Sequence, residues 1–418
     1  MRKVLIVTYK FPPMDCGVGR VVKLVKYLPR HGWAPVVLTA RKAKLFPAYD
    51  DLVLADIPAD IKVARTYSLE NRFIAFRVPS FFGKRANQFF VPDVHVGWIP
   101  FAFLKGLELL LKERIDLIFS TSKPHAAHFV AYLLNKFTGI PWVADFRDEW
   151  TSNLADFPDS RCSEMHRRSE KMALRADRVT AVTVSIIERL KQYSGSDTPG
   201  KFRVICHGYD PDDFFGHAGS GGLKTFPALR GNFVLTHTGD FYGTRQPVTF
   251  IEAVMELAEE VPEFKSKVKV QLVGPKYRIE PICRKMATGG MVILIDRVSH
   301  REAWTYLQNS DVQLLFVGTD RTHVAATPGK LFEYLAIGNP ILALAPEGEA
   351  SQIIRETRSG VIVHPEDKLA IKQALLRLYQ DSCSGIRNFC PDREQIEKYD
   401  VRKSVFEFAK LFDELVLK

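Results

Sequence analysis

Residues 327–343 read TPGKLFEYLAIGNPILA, and this stretch is an example of the helix-and-strand alternation that extends through the chain. The Pro-Gly pair ends an irregular segment, and the pattern predicts a helix over 330–337 that stops at Gly338. Pro340 then leads into an apolar run, which indicates a buried strand. The stretch therefore predicts a helix followed by a buried strand, with Lys330 and Glu333 near the helix start.

The same alternation of helical patterns and short β-branched runs extends through the chain. In the first half, strands are predicted at 3–9, 34–40, 117–122, 141–146 and 178–183, with helices at 18–31, 100–114 and 125–138. After residue 231 the order begins again, with strands at 232–239, 269–274, 291–296, 312–317 and 340–345. Such repetition predicts parallel sheets covered on both faces. The fold class is therefore α/β, with two doubly wound, Rossmann-like domains facing a central cleft.

A length of 418 residues also suits two domains better than one core. The Gly-, Asp- and Pro-rich segment 207–231 is the predicted linker between domains at 1–206 and 232–395. The last residues, 396–418, show apolar positions at helical spacing and predict a closing helix.

Charge restricts the classes of partner. The 58 basic residues outnumber the 48 acidic ones, which gives a formal net charge of +10. This excess favours anionic partners such as phosphorylated ligands, acidic lipid headgroups or nucleic acid, although ordinary solvated surfaces carry such charge too. No nucleic-acid-binding module is recognised, so we expect no nucleic-acid partner.

The cysteines and the apolar runs indicate the compartment. The six cysteines are scattered and form no CxxC pair, which fits free thiols in a reducing cytoplasm and argues against zinc. The N-terminal apolar run of about five residues is too short for a signal peptide. No run approaches the ~18 apolar residues of a membrane span. We expect a cytoplasmic protein, with a peripheral position at the inner face of the membrane as an alternative.

Residues 65–105 fit the alternation poorly, because Phe, Trp and Val are interleaved there with Arg and Lys. Such a mixture suits contact with an anionic membrane or a lipid-linked acceptor. It equally suits an irregular core segment covered by the aliphatic stems of basic side chains. Both interpretations remain open at this point.

The glycine-rich motif FPPMDCGVGR (11–20) turns from the first strand into a helix. Gly17 and Gly19 allow the backbone to approach a ligand, and N–H groups at the helix start attract phosphate or a sugar hydroxyl. A tight strand–helix turn without a ligand explains the motif equally well. The pattern is not GxGxxG, so a dinucleotide fingerprint is absent.

The motif DFRDEW (145–150) concentrates charge at the end of another strand. Asp145, Arg147 and Asp148 are expected on the cleft side, where an arginine can hold a phosphate or carboxylate and neighbouring charges shift each other's pKa values. Trp150 adds a surface on which a ligand can stack. A simple ion pair capping the strand is the structural alternative.

Two loops of the second half carry further candidates. Gly239, Gly243 and Arg245 lie between a strand and the helix that is predicted to begin near Pro247, an arrangement that suits a diphosphate. Arg297 and Val298 follow a later strand, where backbone groups are placed to contact the edge of a base. His300 is interpreted as a surface or capping residue.

The charged residues of 327–343 also have two interpretations. Glu333 fits the dipole at a helix start, but a carboxylate facing two vicinal hydroxyls is also a common means of binding ribose. Lys330 suits a position beside phosphates as well as that of a solvated first-turn lysine.

Together these stretches, with VPDVHVGWIP (91–100), resemble a glycosyltransferase of the GT-B fold, in the family 4 group and its bacterial polysaccharide and cell-surface branch. The resemblance spans nearly the whole chain. It implies that the C-terminal domain binds a nucleotide sugar and the N-terminal domain binds the acceptor. It also implies that the last helix crosses back onto the N-terminal domain.

The resemblance further implies roles for single residues. Gly17 and Gly19 match the glycine loop near the transferred sugar and diphosphate. Arg245 matches the residue that neutralises the diphosphate, with Lys330 beside it. Glu333 matches the second glutamate of a Glu-x7-Glu motif, which holds the ribose hydroxyls.

Two departures from the family pattern concern the transferred sugar. Ala325 stands where the first glutamate of the motif is expected. Arg147 is interpreted as standing where a histidine commonly follows the fourth or fifth strand. Both missing groups contact the sugar in relatives, so sugar identity and stereochemistry stay open.

The expected reaction is sugar transfer from a UDP- or GDP-sugar to a lipid-linked or cell-surface glycan, with retention as in most of the group. Arg245 and Lys330 would stabilise the departing diphosphate, with Arg147 also a catalytic candidate. If the enzyme inverts, Asp148 or Asp145 is the candidate base. No DxD-type motif ends a strand, and YDPDDF (209–214) is interpreted as a turn, so neither a metal nor a cofactor is expected.

The alternatives are a GT-B nucleotide-sugar epimerase or hydrolase and a non-catalytic nucleotide-sugar- or glycan-binding subunit. The first needs a cluster of acid–base residues around the sugar, which the motifs lack. The second is favoured by Ala325, because degenerate sites lose such groups. The presence of Arg245, Lys330 and Glu333 together argues against it.

Overall fold

The computed structural model describes residues 1–14, 19–41, 54, 56–69, 90–150, 160–195, 198–215, 229, 231–274, 290–385 and 389–417. The chain divides into two compact units. Unit 1 comprises residues 1–207 and 401–418, and unit 2 comprises residues 208–400. Among the described residues, no helix combines the length and the apolar character needed to cross a bilayer.

Unit 1 is built on a parallel sheet. Its strands are β1 (Arg2–Val7), β2 (Trp33–Ala40), β3 (Lys62–Thr66), β4 (Leu117–Ser122), β5 (Trp142–Phe146), β6 (Arg178–Ala181) and β7 (Phe202–Val204). The seven strands lie in the order β3-β2-β1-β4-β5-β6-β7, so the chain reverses its direction of travel across the sheet after β3. Its helices are α1 (Gly19–Tyr27), α2 (Ile99–Glu113), α3 (Ala126–Thr138), α4 (Ser160–Ala173) and α5 (Val184–Ser194).

Unit 2 repeats this plan with six strands. They are β8 (Phe233–Thr238), β9 (Val268–Val273), β10 (Val292–Ile295), β11 (Val312–Phe316), β12 (Ile341–Leu344) and β13 (Gly360–Val363), in the order β10-β9-β8-β11-β12-β13. Its helices are α6 (Pro211–Phe215), α7 (Val248–Glu260), α8 (Pro262–Lys267), α9 (His300–Gln308), α10 (Arg321–Ala325), α11 (Gly329–Ile337), α12 (Glu349–Glu356), α13 (Lys368–Cys383) and α14 (Arg393–Glu397).

The continuous apolar runs form strands because both faces of each sheet are covered. In β1, Leu5 and Val7 enter one core cluster of unit 1, whereas Val4 and Ile6 enter the cluster on the opposite face. In β11, Leu314 and Leu315 divide in the same way between the two clusters of unit 2. Alternate side chains point to opposite faces of a strand, so a run with no polar interruption fits a doubly covered parallel sheet.

The final helix, α15 (Val401–Val416), belongs to unit 1. Its Phe408 and Phe412 rings lie 5.3 and 5.8 Å from the ring of Phe119 in β4. Val405 is buried in the same cluster. This helix therefore supplies part of the apolar cover for one face of the first sheet.

The predicted fold class, two doubly wound α/β domains, is confirmed by the two parallel sheets. Three strands, β3, β7 and β13, were not predicted, because their sequences are short and only partly apolar. The interpretation of YDPDDF as a turn is wrong, since Pro211–Phe215 forms α6. Most of the predicted linker 207–231, at 216–228 and 230, and about half of the segment 65–105, at 70–89, lie outside the described residues.

A buried ion pair connects four elements of unit 1. Arg20 of α1 donates from Nε and Nη2 to the two oxygens of Asp145 in β5, each at 3.0 Å. Thr121 of β4 and Thr180 of β6 also donate to this carboxylate, each at 2.8 Å. Burial alone would raise the pKa of Asp145, but Arg20 and the two hydroxyls outweigh it and hold the pKa below its usual range.

Replacing Asp145 by Asn should destabilise unit 1 by about 3 kcal/mol, because Arg20 would keep its charge in a buried place without a counter-charge. Tryptophan fluorescence during urea unfolding measures this, since Trp33, Trp98, Trp142 and Trp150 all belong to unit 1.

The matched control is Glu108→Gln, which removes an exposed carboxylate paired with Lys105 and Lys112 and should leave the unfolding midpoint unchanged. Equal midpoints for Asp145→Asn and the wild type would contradict the structural role of the Arg20–Asp145 pair. The depressed pKa also predicts that this stabilisation is present above pH ~4 and is lost as the pH falls through the folded pKa.

Candidate functional site

The site candidates of unit 2 lie where two neighbouring strands end. Strands β8 and β11 are paired and parallel, so the loops that follow them, 239–247 and 317–328, begin at the same edge of the sheet. In doubly wound sheets ligands bind outside the carboxyl ends of the strands. The first loop contains Gly239 and Arg245, and the second leads into α11 with Lys330 and Glu333.

Lys330 lies directly against the first loop. Its Nζ donates to the carbonyl oxygen of Thr238 at 2.6 Å. Gly239 has a φ of +116°, and a Cβ at this position would stand 2.4 Å from Lys330 Nζ. Only glycine combines this backbone conformation with room for the ammonium group. The sequence-predicted pair Gly239 and Lys330 is therefore brought together.

The surroundings of Lys330 disfavour its charge. Burial, together with the positive charge of Arg245, lowers the pKa of Lys330 to about 7, although Glu333 and Asp240 act in the opposite direction. Burial is the largest of these causes, so the lowered pKa reflects mainly the removal of water from the ammonium group. An anion bound here would favour the charged form of Lys330.

Arg245 is the second cation of the edge and is almost completely buried. Its guanidinium lies 4.8 Å from the ring centre of Tyr242. Its Nε is buried and has no hydrogen-bond partner among the described residues. A buried guanidinium with an unpaired N–H donor is suited to a ligand that supplies oxygen acceptors.

Glu333 lies past the first turn of α11, so the alternative of a carboxylate stabilised at the helix start is wrong. Its two oxygens accept from His300 Nε2 at 3.0 Å and from Trp304 Nε1 at 3.2 Å. Burial would raise the pKa of Glu333, but His300, Trp304 and Lys330 outweigh it and hold the pKa below its usual range. His300 is thus a partner of the predicted ribose-binding residue, which its loop position did not reveal.

A polar cluster that the sequence did not predict joins the two loops. Thr244 Oγ1 and His323 Nδ1 lie 2.9 and 2.5 Å from Asp320 Oδ2. Asp320 also caps the short helix α10, which ends at the buried Ala325. The signal in the sequence is weak, because the Asp–Thr contact joins positions 76 residues apart.

Arg297 and Val298 lie between β10 and α9 at the same edge of the sheet. Arg297 is exposed and Val298 is half-buried. Ser299 and Glu302 form a capping box that begins α9 immediately afterwards. The role of Arg297 as a donor contact stays a prediction.

The remaining candidates belong to unit 1. Gly17 lies outside the described residues, and Gly19 is the exposed first residue of α1. Asp148 is about half exposed and lies 3.9 Å from Lys123 Nζ. Arg147 donates to the carbonyl oxygens of Ser122 and Lys123 and so braces the loop after β4.

Two expectations for DFRDEW need correction. Asp145 does not suit the role of a base, because it is fully buried and its oxygens accept hydrogen bonds from three residues. These contacts hold the pKa of Asp145 below its usual range. One face of the Trp150 ring is covered by His125, with ring centres 4.1 Å apart and planes 3° apart, so that face is not open to a ligand.

His125 is the residue of this edge that sequence reasoning missed. It follows β4 directly and precedes α3, so a histidine does stand after the fourth strand. Burial and nearby positive groups, Lys123 first among them, place its pKa well below the usual range. The sequence signal is the string KPHAAH, which places a histidine shortly after the strand predicted at 117–122.

Taken separately, neither unit gathers three metal-ligating side chains within its described residues.

Two protein-family models match the sequence. The model described as "Glycosyltransferase Family 4" covers residues 17–213, and the model described as "Glycosyl transferases group 1" covers residues 232–381. The chain belongs to the family 4-like glycosyltransferases. A sequence comparison with curated proteins gives no significant match.

Solved structures agree on the fold of this glycosyltransferase. Sucrose-phosphate synthase from Thermosynechococcus elongatus matches with a TM-score of 0.72 at 16% identity, over 99% of both chains. A glycosyltransferase from Rickettsia africae matches with a TM-score of 0.69 at 14% identity, over 100% of this chain and 99% of the other. Anabaena HepE in complex with UDP-glucose matches with a TM-score of 0.66 at 16% identity, over 99% and 100%. At these identities the likeness establishes the GT-B fold.

Gly239→Ala should destabilise unit 2 by about 1–3 kcal/mol, because it adds backbone strain and forces Lys330 away from Thr238. Gly243→Ala is the matched control: its φ is also positive, but nothing lies within 4 Å of the added Cβ. Thermal unfolding of both variants separates the effect of displacing Lys330 from that of strain. Equal losses of stability would show that contact with Lys330 adds nothing.

Proposed function

We propose that this glycosyltransferase takes its sugar from a UDP- or GDP-sugar bound to unit 2 and transfers it to a lipid-linked or cell-surface glycan. The single observation that carries the donor assignment is the combination of two cations, Arg245 with an unpaired buried Nε and Lys330 with a lowered pKa, with the fixed carboxylate of Glu333 at one sheet edge. Two cations suit a diphosphate, and a carboxylate suits the hydroxyls of its ribose. The complex of HepE with UDP-glucose supports the same class of donor.

The proposed chemistry follows from the charge that develops. The bond between the anomeric carbon of the sugar and the phosphate oxygen breaks, and the diphosphate leaves with the electron pair. Arg245 and Lys330 stabilise that charge, so the proposed mechanism needs no metal ion. The acceptor oxygen forms the new bond to the anomeric carbon, and its proton passes to the leaving phosphate oxygen.

Retention of configuration is part of the proposal because the leaving phosphate can serve as the base on the same face of the sugar. An inverting reaction would instead need a carboxylate from the chain. Asp148 is the remaining candidate for that role, since it keeps about half of its side chain exposed whereas Asp145 is fully engaged.

The first test is a thermal-shift screen with UDP, GDP, ADP and dTDP, followed by the matching nucleotide sugars. A nucleotide that binds the folded protein raises the melting temperature once its concentration exceeds the dissociation constant. Arg245→Met should abolish most of the shift, because a hydrogen-bonded charge contributes about 1.5–3 kcal/mol. No shift with any nucleotide would refute the donor assignment.

The same site predicts a pH effect. Lys330, with its pKa lowered to about 7, is largely neutral at pH 8, and a bound diphosphate favours its charged form, so binding should take up a proton. Calorimetry of UDP binding at pH 8 in two buffers of different ionisation enthalpy measures this uptake. Lys330→Met should abolish it, whereas Lys267→Met, at an exposed site in unit 2, should not. Unchanged uptake in Lys330→Met would assign the proton to another group.

The acceptor proposal is supported by an exposed apolar surface on unit 1. Leu104 and Leu111 of α2 are 66% and 83% exposed, and Phe137 of α3 is 68% exposed. Phe137 lies beside Phe103 of α2, with ring centres 5.3 Å apart, so the two helices are adjacent at this point. Basic residues of the same helices are Lys105 and Lys112, which both pair with Glu108, and Lys136. Apolar groups flanked by lysines suit the interface of an anionic membrane that carries the acceptor.

Leu104→Ser together with Leu111→Ser should weaken sedimentation with liposomes that contain phosphatidylserine or phosphatidylglycerol, because two exposed apolar anchors are lost. The control is Leu369→Ser, which changes a leucine of unit 2 that is 65% exposed. Equal sedimentation of both variants and the wild type would refute the proposed surface, and absence of sedimentation in the wild type would refute membrane contact.

A further inference from the structure

The carboxylate of Glu333 is held by two donors from one neighbouring helix. His300 Nε2 lies 3.0 Å from Oε1, and Trp304 Nε1 lies 3.2 Å from Oε2. A carboxylate only accepts, so Nε2 of His300 carries the proton in this contact. His300 and Trp304 are four residues apart on α9 and therefore face the same side.

The donors are themselves fixed. The Trp304 ring is buried and lies nearly parallel to the ring of Phe214 of α6, with centres 4.6 Å and planes 13° apart. The His300 ring lies 4.5 Å from the Trp304 ring. Packing against these two rings leaves the indole N–H little freedom of direction. The position of Glu333 is thus determined by a packed aromatic group as well as by hydrogen bonds.

The arrangement leaves Glu333 capable of binding two more donors. An ionised carboxylate has about four acceptor positions, two on each oxygen. One position on each oxygen is taken by the protein. Glu333 is half-buried, so part of the group remains accessible. Each oxygen can therefore accept one further hydrogen bond, and the vicinal hydroxyls of a ribose supply two donors at neighbouring positions.

We propose that His300 and Trp304 are positioning residues that orient Glu333 for the 2′- and 3′-hydroxyls and thereby make the donor site selective for nucleotides that carry both hydroxyls over nucleotides that lack them. The inference rests on the proposed function, because it requires a nucleotide sugar at this edge of unit 2. It assigns the donor class as a ribonucleoside diphosphate sugar.

The test compares the affinities of UDP and 2′,3′-dideoxy-UDP by titration calorimetry, or of the guanine pair if GDP gives the larger thermal shift. The wild type should prefer UDP by about 10-fold or more, the size of a lost hydrogen bond to a charged group. The double variant His300→Leu/Trp304→Phe should lose most of that preference, as should Glu333→Gln. Phe at 304 keeps the stacking on Phe214 and removes only the N–H donor.

The controls separate positioning from folding. Affinity for 2′,3′-dideoxy-UDP should stay within about 2-fold in the double variant, since that ligand does not use Glu333. His300→Gln, which retains an N–H donor, should keep part of the preference, and Gln308→Ala at the exposed end of α9 should keep all of it.

Three outcomes would overturn the inference. Equal weakening of both ligands in the double variant would make His300 and Trp304 structural residues only. A wild type that binds both ligands tightly and equally would show that Glu333 does not hold the ribose, while the donor assignment would stand. Binding of neither nucleotide pair would refute the proposed function itself.

Discussion

The buried contact between Arg20 and Asp145 is the constraint on which unit 1 depends. Arg20 binds the carboxylate in β5 and also donates to the carbonyl oxygens of Ile205 and Cys206, just after β7. The same Cys206 oxygen accepts from Ser404 of α15 at 3.1 Å. One guanidinium therefore connects the first helix, the central strands and the point at which the chain leaves the unit, and a charge so placed is tolerated only with all its partners present.

In unit 2 the charged residues of interest lie at the carboxyl edge of the sheet. Its carboxyl edge keeps Lys330 against the Thr238 carbonyl and Arg245 against Tyr242, without a carboxylate paired directly to either cation among the described contacts. Glu333, the nearest acidic candidate, is directed instead to His300 and Trp304. Lys330, Arg245 and Glu333 are thus held by different partners along one edge. This arrangement favours a ligand that is anionic at one end and rich in hydroxyls at the other.

Much of the fold and part of the candidate site could be predicted from the sequence. Uninterrupted apolar runs such as KVLIVTY predict strands buried on both faces, and Gly338, with its φ of +83°, ends α11 where the pattern placed the stop. Gly239, in a loop suited to a diphosphate, and Lys330, beside the phosphates, were each predicted as donor-binding residues. The partners of Glu333 and Asp145 were not predictable in this way. They come from contacts between residues 24 to 125 positions apart, which depend on packing rather than on local pattern.

The position of α15 has a consequence for biosynthesis. Phe408 and Phe412 cover Phe119 only after the whole of unit 2 has been translated, since residues 208–400 intervene. Until then one apolar face of the nascent first sheet, which includes Val4 and Ile6, is not covered by Phe408 and Phe412. Unit 2, by contrast, is a continuous segment and can complete its core as soon as it leaves the ribosome. The domain that is synthesised first is therefore the one that finishes folding last.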